Sequence, residues 1–143
     1  MAALARVLAS GDPSQLRRVF DLMAKVQILA VLPAGVGLAV MVPDYLSLLY
    51  GPPFAAAVPT ARVLIALLFA ETALALGLVL LWVDERHRPV LIVYGIILAG
   101  APLFIWTAGV AGLLPAAVVL GGSRLAASAF GHFVAERAYG VRY

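Results

Sequence analysis

The chain has 143 residues, of which 64% are hydrophobic and only 12% charged, with a formal net charge of +3 and no cysteine. Mean hydropathy is +1.07 and the isoelectric point about 9.7. A soluble domain carries about twice that share of charge, the missing cysteines exclude a disulfide framework or thiolate metal site, and the placement of the basic residues argues for a membrane and against nucleic acid.

Residues Met1–Ala9 read as the tail of a helix, with a stop and restart at Ser10, Gly11, Asp12, Pro13, Ser14 and Gln15. Asp12 suits a cap, Pro13 the first helical position, and Gln15 completes a capping box. Leu16, Val19, Phe20 and Met23 then recur at helical spacing, with Arg17, Arg18, Asp21 and Lys25 on the other face. That pattern predicts an amphipathic cytoplasmic lead-in over residues 1–25, lying at the headgroups.

The first apolar run, Val26–Val42, contains Leu32, Pro33, Ala34, Gly35, Val36 and Gly37. Pro33 removes a backbone donor and Gly35 admits a close neighbour, so a mid-membrane bend is expected with Pro33 and Gly35 as its hinge. Such bends border the substrate path in some transporters, while Pro and Gly are also commoner in membrane helices generally. Pro43 to Phe54 reads as a short outer apolar helix, with Asp44 as cap, Gly51 as stop, and Tyr45, Tyr50 and Phe54 at the interface.

Pro59 suits the first turn of the second run, Val63–Val83, which carries Glu71 near its middle. The turn Asp84, Glu85, Arg86, His87, Arg88 is a solvated loop too short to frame a substrate cleft. The third run, Pro89–Ala108, is uncharged, with Gly95, Ala99 and Gly100 as small contact positions. Thr107, Ala108, Gly109 and Val110 predict a tight outer turn into the fourth run, Val110–Val134. There Gly112, Ala116, Ser123, Ala127 and Gly131 permit close helix packing.

Each run is near or above the roughly 17–25 residues that cross hydrocarbon as a helix. The expected fold is all-α: a polytopic membrane helix bundle with four transmembrane helices over about 26–42, 63–83, 89–108 and 110–134, then a cytoplasmic tail, 135–143. Arg6, Arg17, Arg18 and Lys25 precede the first run, Arg86 and Arg88 separate the second from the third, and Arg137 and Arg142 follow the fourth. The opposite side offers only Arg62, so the positive-inside rule puts both termini in the cytoplasm.

Two ionisable residues lie deep in apolar runs, Glu71 and Arg124. An unpaired charge there costs several kcal/mol, so both should face protein or water. Their depths differ by up to roughly 9 Å on the predicted spans, and the outward lean of Arg124 brings a direct or water-bridged pair within reach. Arg124, Ser128 and His132 repeat every four residues as a polar stripe that lines a cavity or a helix interface. The alternative is that Arg124 snorkels to the inner headgroups and the stripe marks the end of the span. Glu71 is either a proton or cation site or is locked in an ion pair. There is no His-Glu-x-x-His, no carboxylate pair within one span and no Gly-x-Ser-x-Gly elbow, so no enzyme activity, cofactor or metal is expected.

The succession of short motifs is more specific than any one of them. Ala9-Ser10-Gly11-Asp12 leads to Leu16-Arg17-Arg18, followed by Leu32-Pro33-Ala34-Gly35-Val36-Gly37-Leu38. Leu48-Leu49-Tyr50-Gly51-Pro52-Pro53-Phe54, Val58-Pro59-Thr60-Ala61-Arg62 and the Gly-x-x-Gly sequence Gly109-Val110-Ala111-Gly112 come next. This order resembles the polysaccharide and O-antigen flippases of the multidrug/oligosaccharidyl-lipid/polysaccharide exporter superfamily, from about Ala9 to Phe133.

The resemblance implies a bacterial inner-membrane protein that moves an undecaprenyl-diphosphate-linked glycan across the bilayer for O-antigen, capsule or exopolysaccharide synthesis. It implies two helical lobes around a central cationic cavity that opens to each side in turn. Arg124, with Ser128 and His132, would meet the diphosphate there, and Glu71 would serve coupling or ion pairing; no family motif carries these roles.

Such flippases have about twelve to fourteen spans, and two lobes cannot be built from four helices. The chain is therefore expected to be the C-terminal part of a longer flippase, with the remaining N-terminal helices and membrane lipid as its partners. Leu113-Leu114-Pro115 departs from the small residues the family carries after its turn. Two other readings stay open: a small four-span assembly or scaffold protein, and a fragment of a multidrug antiporter of the same fold.

Overall fold

The computed structural model describes residues 2–141, with side chains from Ala5 onward; Arg142 of the basic tail lies outside them. Helix α1 spans Ala2–Ser10, α2 Pro13–Tyr50, α3 Val58–Val83, α4 His87–Ala111 and α5 Leu113–Tyr139, with a 3-10 turn over Pro52–Ala57. Among the described residues there is no strand. Helices α2, α3, α4 and α5 are each long and apolar enough to cross a membrane, so the chain is an all-α membrane helix bundle.

The start of α2 follows from its cap. The Asp12 carboxylate accepts from the backbone N–H of Ser14 at 2.9 Å and of Gln15 at 3.4 Å, with Pro13 just inside the helix. The Ser14 hydroxyl also donates to it, and these bonds hold the Asp12 carboxyl below the usual carboxylate range.

From there α2 runs 38 residues without interruption, through the predicted lead-in, the first apolar run and the segment expected to form a separate outer helix. Asp44 is therefore inside a helix and caps nothing. Pro43 does not end the helix because the backbone group it strands is satisfied from outside. With no N–H at Pro43, the Ala39 carbonyl loses its helical donor, and Arg62 Nε donates to that carbonyl at 3.1 Å. The stop comes at Gly51, as expected: its φ of +84° suits glycine, and its N–H returns to the Ser47 carbonyl.

Helix α4 likewise passes through the predicted turn at Thr107–Val110. The Thr107 hydroxyl donates to the Leu103 carbonyl at 2.8 Å, so this polar side chain is satisfied within the helix. The chain turns instead at Gly112, whose φ of +90° is a conformation that side chains with a Cβ rarely adopt.

Helix α5 is the centre of the bundle. Both α3 and α4 pack along it and barely touch each other, while α2 covers a different side of α3. The cause is composition: the buried residues of α5 are Ala116, Ala117, Gly121, Ala127, Ser128, Gly131 and Ala135, all of them Gly, Ala or Ser. Two neighbours can therefore approach its backbone, and in lipid this close dispersion packing replaces water exclusion as the force between helices. A Cβ on Gly121 would lie 2.6 Å from the Leu67 side chain, one on Gly77 would strike the His132 backbone, and one on Gly100 would strike Ser123. Leu67 with Gly121 and Gly77 with His132 show α3 and α5 running parallel, whereas Gly100 with Ser123 and Val93 with Gly131 make α4 antiparallel to α5.

The best-packed region is at one end. Leu16 and Phe20 of α2, Leu76, Leu80 and Leu81 of α3, Val90 of α4, and Ala135 and Val141 form one cluster. The α1–α2 turn, the α3–α4 turn and the end of α5 meet there, with the Arg17 guanidinium beside Gly140 and that of Arg86 over the Tyr139 ring at 5.2 Å. Three of the basic segments thus share one end of the bundle. Elsewhere large apolar side chains such as Leu29, Val40, Leu98 and Ile105 are exposed along the helices, as a hydrocarbon solvent allows.

Candidate functional site

Glu71 lies near the middle of α3 and Arg124 near the middle of α5. The depth gap read from the predicted spans closes, because α3 begins at Val58 and α5 begins after the Gly112 turn. In two parallel helices held in register, the residues stand level. Arg124 Nε donates to Glu71 Oε2 at 2.7 Å and Arg124 Nη2 to Glu71 Oε1 at 3.1 Å. This is a two-pronged pairing of guanidinium and carboxylate, the strongest geometry such groups form.

The pair answers the desolvation problem of two mid-membrane charges. Alone, each costs several kcal/mol in hydrocarbon; together they are neutral and mutually hydrogen-bonded. The two ends are not equally sheltered: 42% of the Arg124 side chain is exposed, against 15% for Glu71. The carboxylate is thus tucked between the helices, and the guanidinium forms the outer edge of the pair. Arg124 reaches across to α3, not down to headgroups.

The rest of the polar stripe on α5 sits in helix packing. Ser128 is buried, at 3% exposure. His132 lies with its backbone against Gly77 and its ring stacked near Phe20 of α2, at a centroid separation of 6.4 Å. The stripe therefore lines a helix interface, with Arg124 its outermost member.

The hinge candidates have a different setting. Helix α2 passes through Pro33 unbroken, and Gly35 admits the Phe69 ring, which lies 2.7 Å from where a Cβ would stand. Between α2 and α3 runs an apolar groove of about 300 Å³ lined by Leu32, Val36, Ile65, Phe69 and Ala70 among others. Two polar contacts flank it. Gln27 Nε2 donates to the Thr72 carbonyl on one side, and Arg62 holds the Ala39 carbonyl on the other. Gln27 went unread in the sequence, although an amide inside an apolar run signals a helix-to-helix hydrogen bond.

At the packed end, Asp84 accepts from the Tyr139 hydroxyl and pairs with Arg86 Nε at 2.7 Å. The Tyr139 bond first, and Arg86 second, hold the Asp84 carboxyl below the usual carboxylate range. A cavity of about 390 Å³ opens here, lined by Leu8, Asp12, Asp84, Arg86 and Tyr139 among others. Among the described residues no group of three His, Asp or Glu side chains is placed to hold a metal ion.

These features define a polytopic α-helical membrane protein with an ion pair across two spans at mid-membrane. No family model, no curated protein and no solved structure matches the chain.

Proposed function

We propose that this chain is part of a membrane transporter of the polysaccharide-flippase type, carrying a lipid-linked oligosaccharide across a bacterial inner membrane. The observation that carries this reading is the Glu71–Arg124 pair at mid-span. Intramembrane ionisable residues mark substrate and ion paths more often than they serve packing, because apolar residues pack two helices without the cost of bringing charge into lipid. A guanidinium is also the side chain best matched to a diphosphate.

The succession of motifs from Ala9 to Gly112 supports the family, and the single-ended gathering of Arg17, Arg86 and Arg137 supports a cytoplasmic placement of that end. Two lobes require more helices than these four. The broadly exposed apolar face of α2, which packs chiefly on α3 among the spans, is a surface that accepts them.

The test is an Arg124→Ala change in the native gene, with surface polysaccharide and membrane-bound lipid-linked precursor both quantified. Surface polysaccharide falls and precursor accumulates if the proposal holds. Normal levels of both, with the variant present in the membrane, would overturn it. One observation favours a second reading, a four-span assembly protein: the small-residue faces and exposed apolar helix surfaces suit partner helices as well as lipid. In that case the variant leaves precursor levels unchanged, and crosslinking through α2 captures another membrane protein.

A further inference from the structure

We infer that the groove between α2 and α3 is a binding site for one glycerophospholipid of the leaflet away from the basic end: the Arg62 guanidinium takes its phosphate, and one acyl chain lies in the groove. The inference goes beyond the transport proposal and does not depend on it.

Depth is the first argument. Arg62 precedes Glu71 by nine residues in α3, which at about 1.5 Å per residue is about 14 Å. A hydrocarbon core is about 30 Å thick, so with Glu71 at its middle Arg62 stands close to its edge. The Arg62 side chain is exposed there, at the level where lipid phosphates begin. The groove lies on the mid-membrane side of it, with Ile65 lining it near Arg62 and Ala73 near Glu71. That is about 12 Å along the helix, so the groove runs from the headgroups toward the bilayer centre and is nearly as long as one leaflet is deep. Arg62 on the Ala39 carbonyl marks one end, and Gln27 on the Thr72 carbonyl marks the other.

Shape selects a chain over a helix. Every residue that lines the groove is apolar, and its volume is about 300 Å³. A helix is about 10–12 Å across, too wide to enter a slot of that size, whereas a single acyl chain is narrow enough. The two helices meet where the Phe69 ring packs on Gly35, and both of these residues face the slot.

Charge selects the headgroup. A guanidinium has five N–H donors, and Arg62 uses Nε on the Ala39 carbonyl at 3.1 Å. Since Ala39 itself lines the groove, that bond fixes the guanidinium at its mouth. Nη1 and Nη2 make no hydrogen bond among the described residues, and a phosphodiester is the anion that this depth of a bilayer offers them. Among the described residues Arg62 is the only basic one on that side of the Glu71–Arg124 pair, and Asp44 stands more than a turn beyond Ala39 on α2.

The experiment takes the native gene product, stripped of lipid in detergent, and titrates it with phosphatidylglycerol carrying a photoreactive diazirine at the end of one acyl chain. Native mass spectrometry counts bound lipid, and the crosslinked peptide reports where the chain end sits. Crosslinks should fall around Gln27 and Thr72. Ala70→Phe, which fills the groove, and Arg62→Gln should each weaken binding by about tenfold. Leu98→Phe, on the exposed side of α4, should leave it unchanged. Because Arg62 also serves the Ala39 carbonyl, Arg62→Gln is repeated in a Pro43→Ala background, where that carbonyl regains its helical donor, and the loss of lipid should persist. Circular dichroism checks folding, and if Arg62→Gln fails to fold, Ala70→Phe and the crosslink position decide.

Crosslinks scattered over the exposed faces of α4 and α5, or binding that Ala70→Phe leaves unchanged, overturn the site. Equal binding of a diacylglycerol, which lacks the phosphate, or full binding by Arg62→Gln in the Pro43→Ala background, overturns the role of Arg62. Tighter binding of a polyprenyl phosphate at the same crosslink position overturns the assignment to a glycerophospholipid.

Discussion

Arg62 and Pro43 are linked through a single carbonyl: Arg62 Nε donates to Ala39 O at 3.1 Å, and Ala39 is the residue whose helical donor Pro43 removes. A side chain from α3 thus completes the hydrogen bonding of α2, and the helix continues beyond Pro43 to Tyr50. The relationship makes a coupled prediction. Arg62→Ala should lower stability by about 1 kcal/mol in the native background, the usual size of such an interhelical bond. In a Pro43→Ala background, where the substituted residue supplies its own N–H, the same change should cost almost nothing. Thermal unfolding in detergent of the four proteins of this cycle measures the coupling, and equal losses in both backgrounds would show that Arg62 serves some other end.

Glycines in these helices fall into two classes that a single substitution separates. A Cβ on Gly77 would meet the His132 backbone, which cannot swing aside as a side chain can, whereas nothing lies within 4 Å of one on Gly95. Gly77→Ala should push α3 from α5 and cost about 1–3 kcal/mol through overpacking. Gly95→Ala should be neutral or stabilise by up to about 1 kcal/mol, since alanine is the better helix former. Unfolding temperatures separate the two variants: a fall for Gly77→Ala and none for Gly95→Ala bear out the packing, and an equal fall in both would overturn it.

The helices were legible in the sequence because their signals are local. Apolar runs of spanning length, the Asp12 cap with Pro13, and the stop at Gly51 each act within a few residues, and each appears in the structure. What the sequence misplaced depends on partners distant along the chain. Pro43 breaks a helix only if its stranded carbonyl stays unpaired, and the donor is Arg62, on the next helix. The turn after α4 was set too early because Gly109 and Gly112 look alike in sequence; only Gly112 takes a positive φ. Glu71 and Arg124 stood out as costly charges, but their meeting required the parallel register of α3 and α5, which small residues set by packing. Tyr139 carried no signal, since a tyrosine near a span end is ordinary interface material.

Asp84 gives a pH dependence with a definite sign. Its carboxyl is held below its ordinary value of 3.8 by the Tyr139 hydroxyl and then by Arg86. A depressed folded-state value means the ionised form is favoured by folding, so the contribution is present above that ordinary value and lost as the pH falls through the folded one. The groups are partly exposed, with 49% of the Arg86 side chain and 33% of that of Asp84 accessible, which limits the contribution to about 1 kcal/mol or less. Asp84→Asn and Tyr139→Phe should each flatten the stability loss that sets in as the pH falls below that ordinary value of 3.8. Some acid sensitivity should persist, because the Asp12 carboxyl is shifted the same way by its capping bonds. Melting temperatures across that range decide the matter, and an unaltered acid limb in both variants would remove Asp84 from the account.

The pair at mid-membrane should be far more costly to break than to delete. Glu71→Ala leaves the Arg124 guanidinium with no counter-ion at the centre of α5, and the loss should be about 3 kcal/mol or more, the scale for orphaning one partner of a buried pair. Arg124→Ala leaves a carboxylate that can take up a proton and become neutral, so its cost should be smaller. Replacing both at once, Glu71→Leu with Arg124→Leu, removes the charges together and fills the space with apolar atoms, which is often neutral or stabilising. The expected order of stability is therefore the double variant at or above wild type, Arg124→Ala below, and Glu71→Ala lowest. Unfolding in detergent, with insertion verified in membranes, ranks them, and a double variant as unstable as Glu71→Ala would mean that the charges themselves hold α3 to α5.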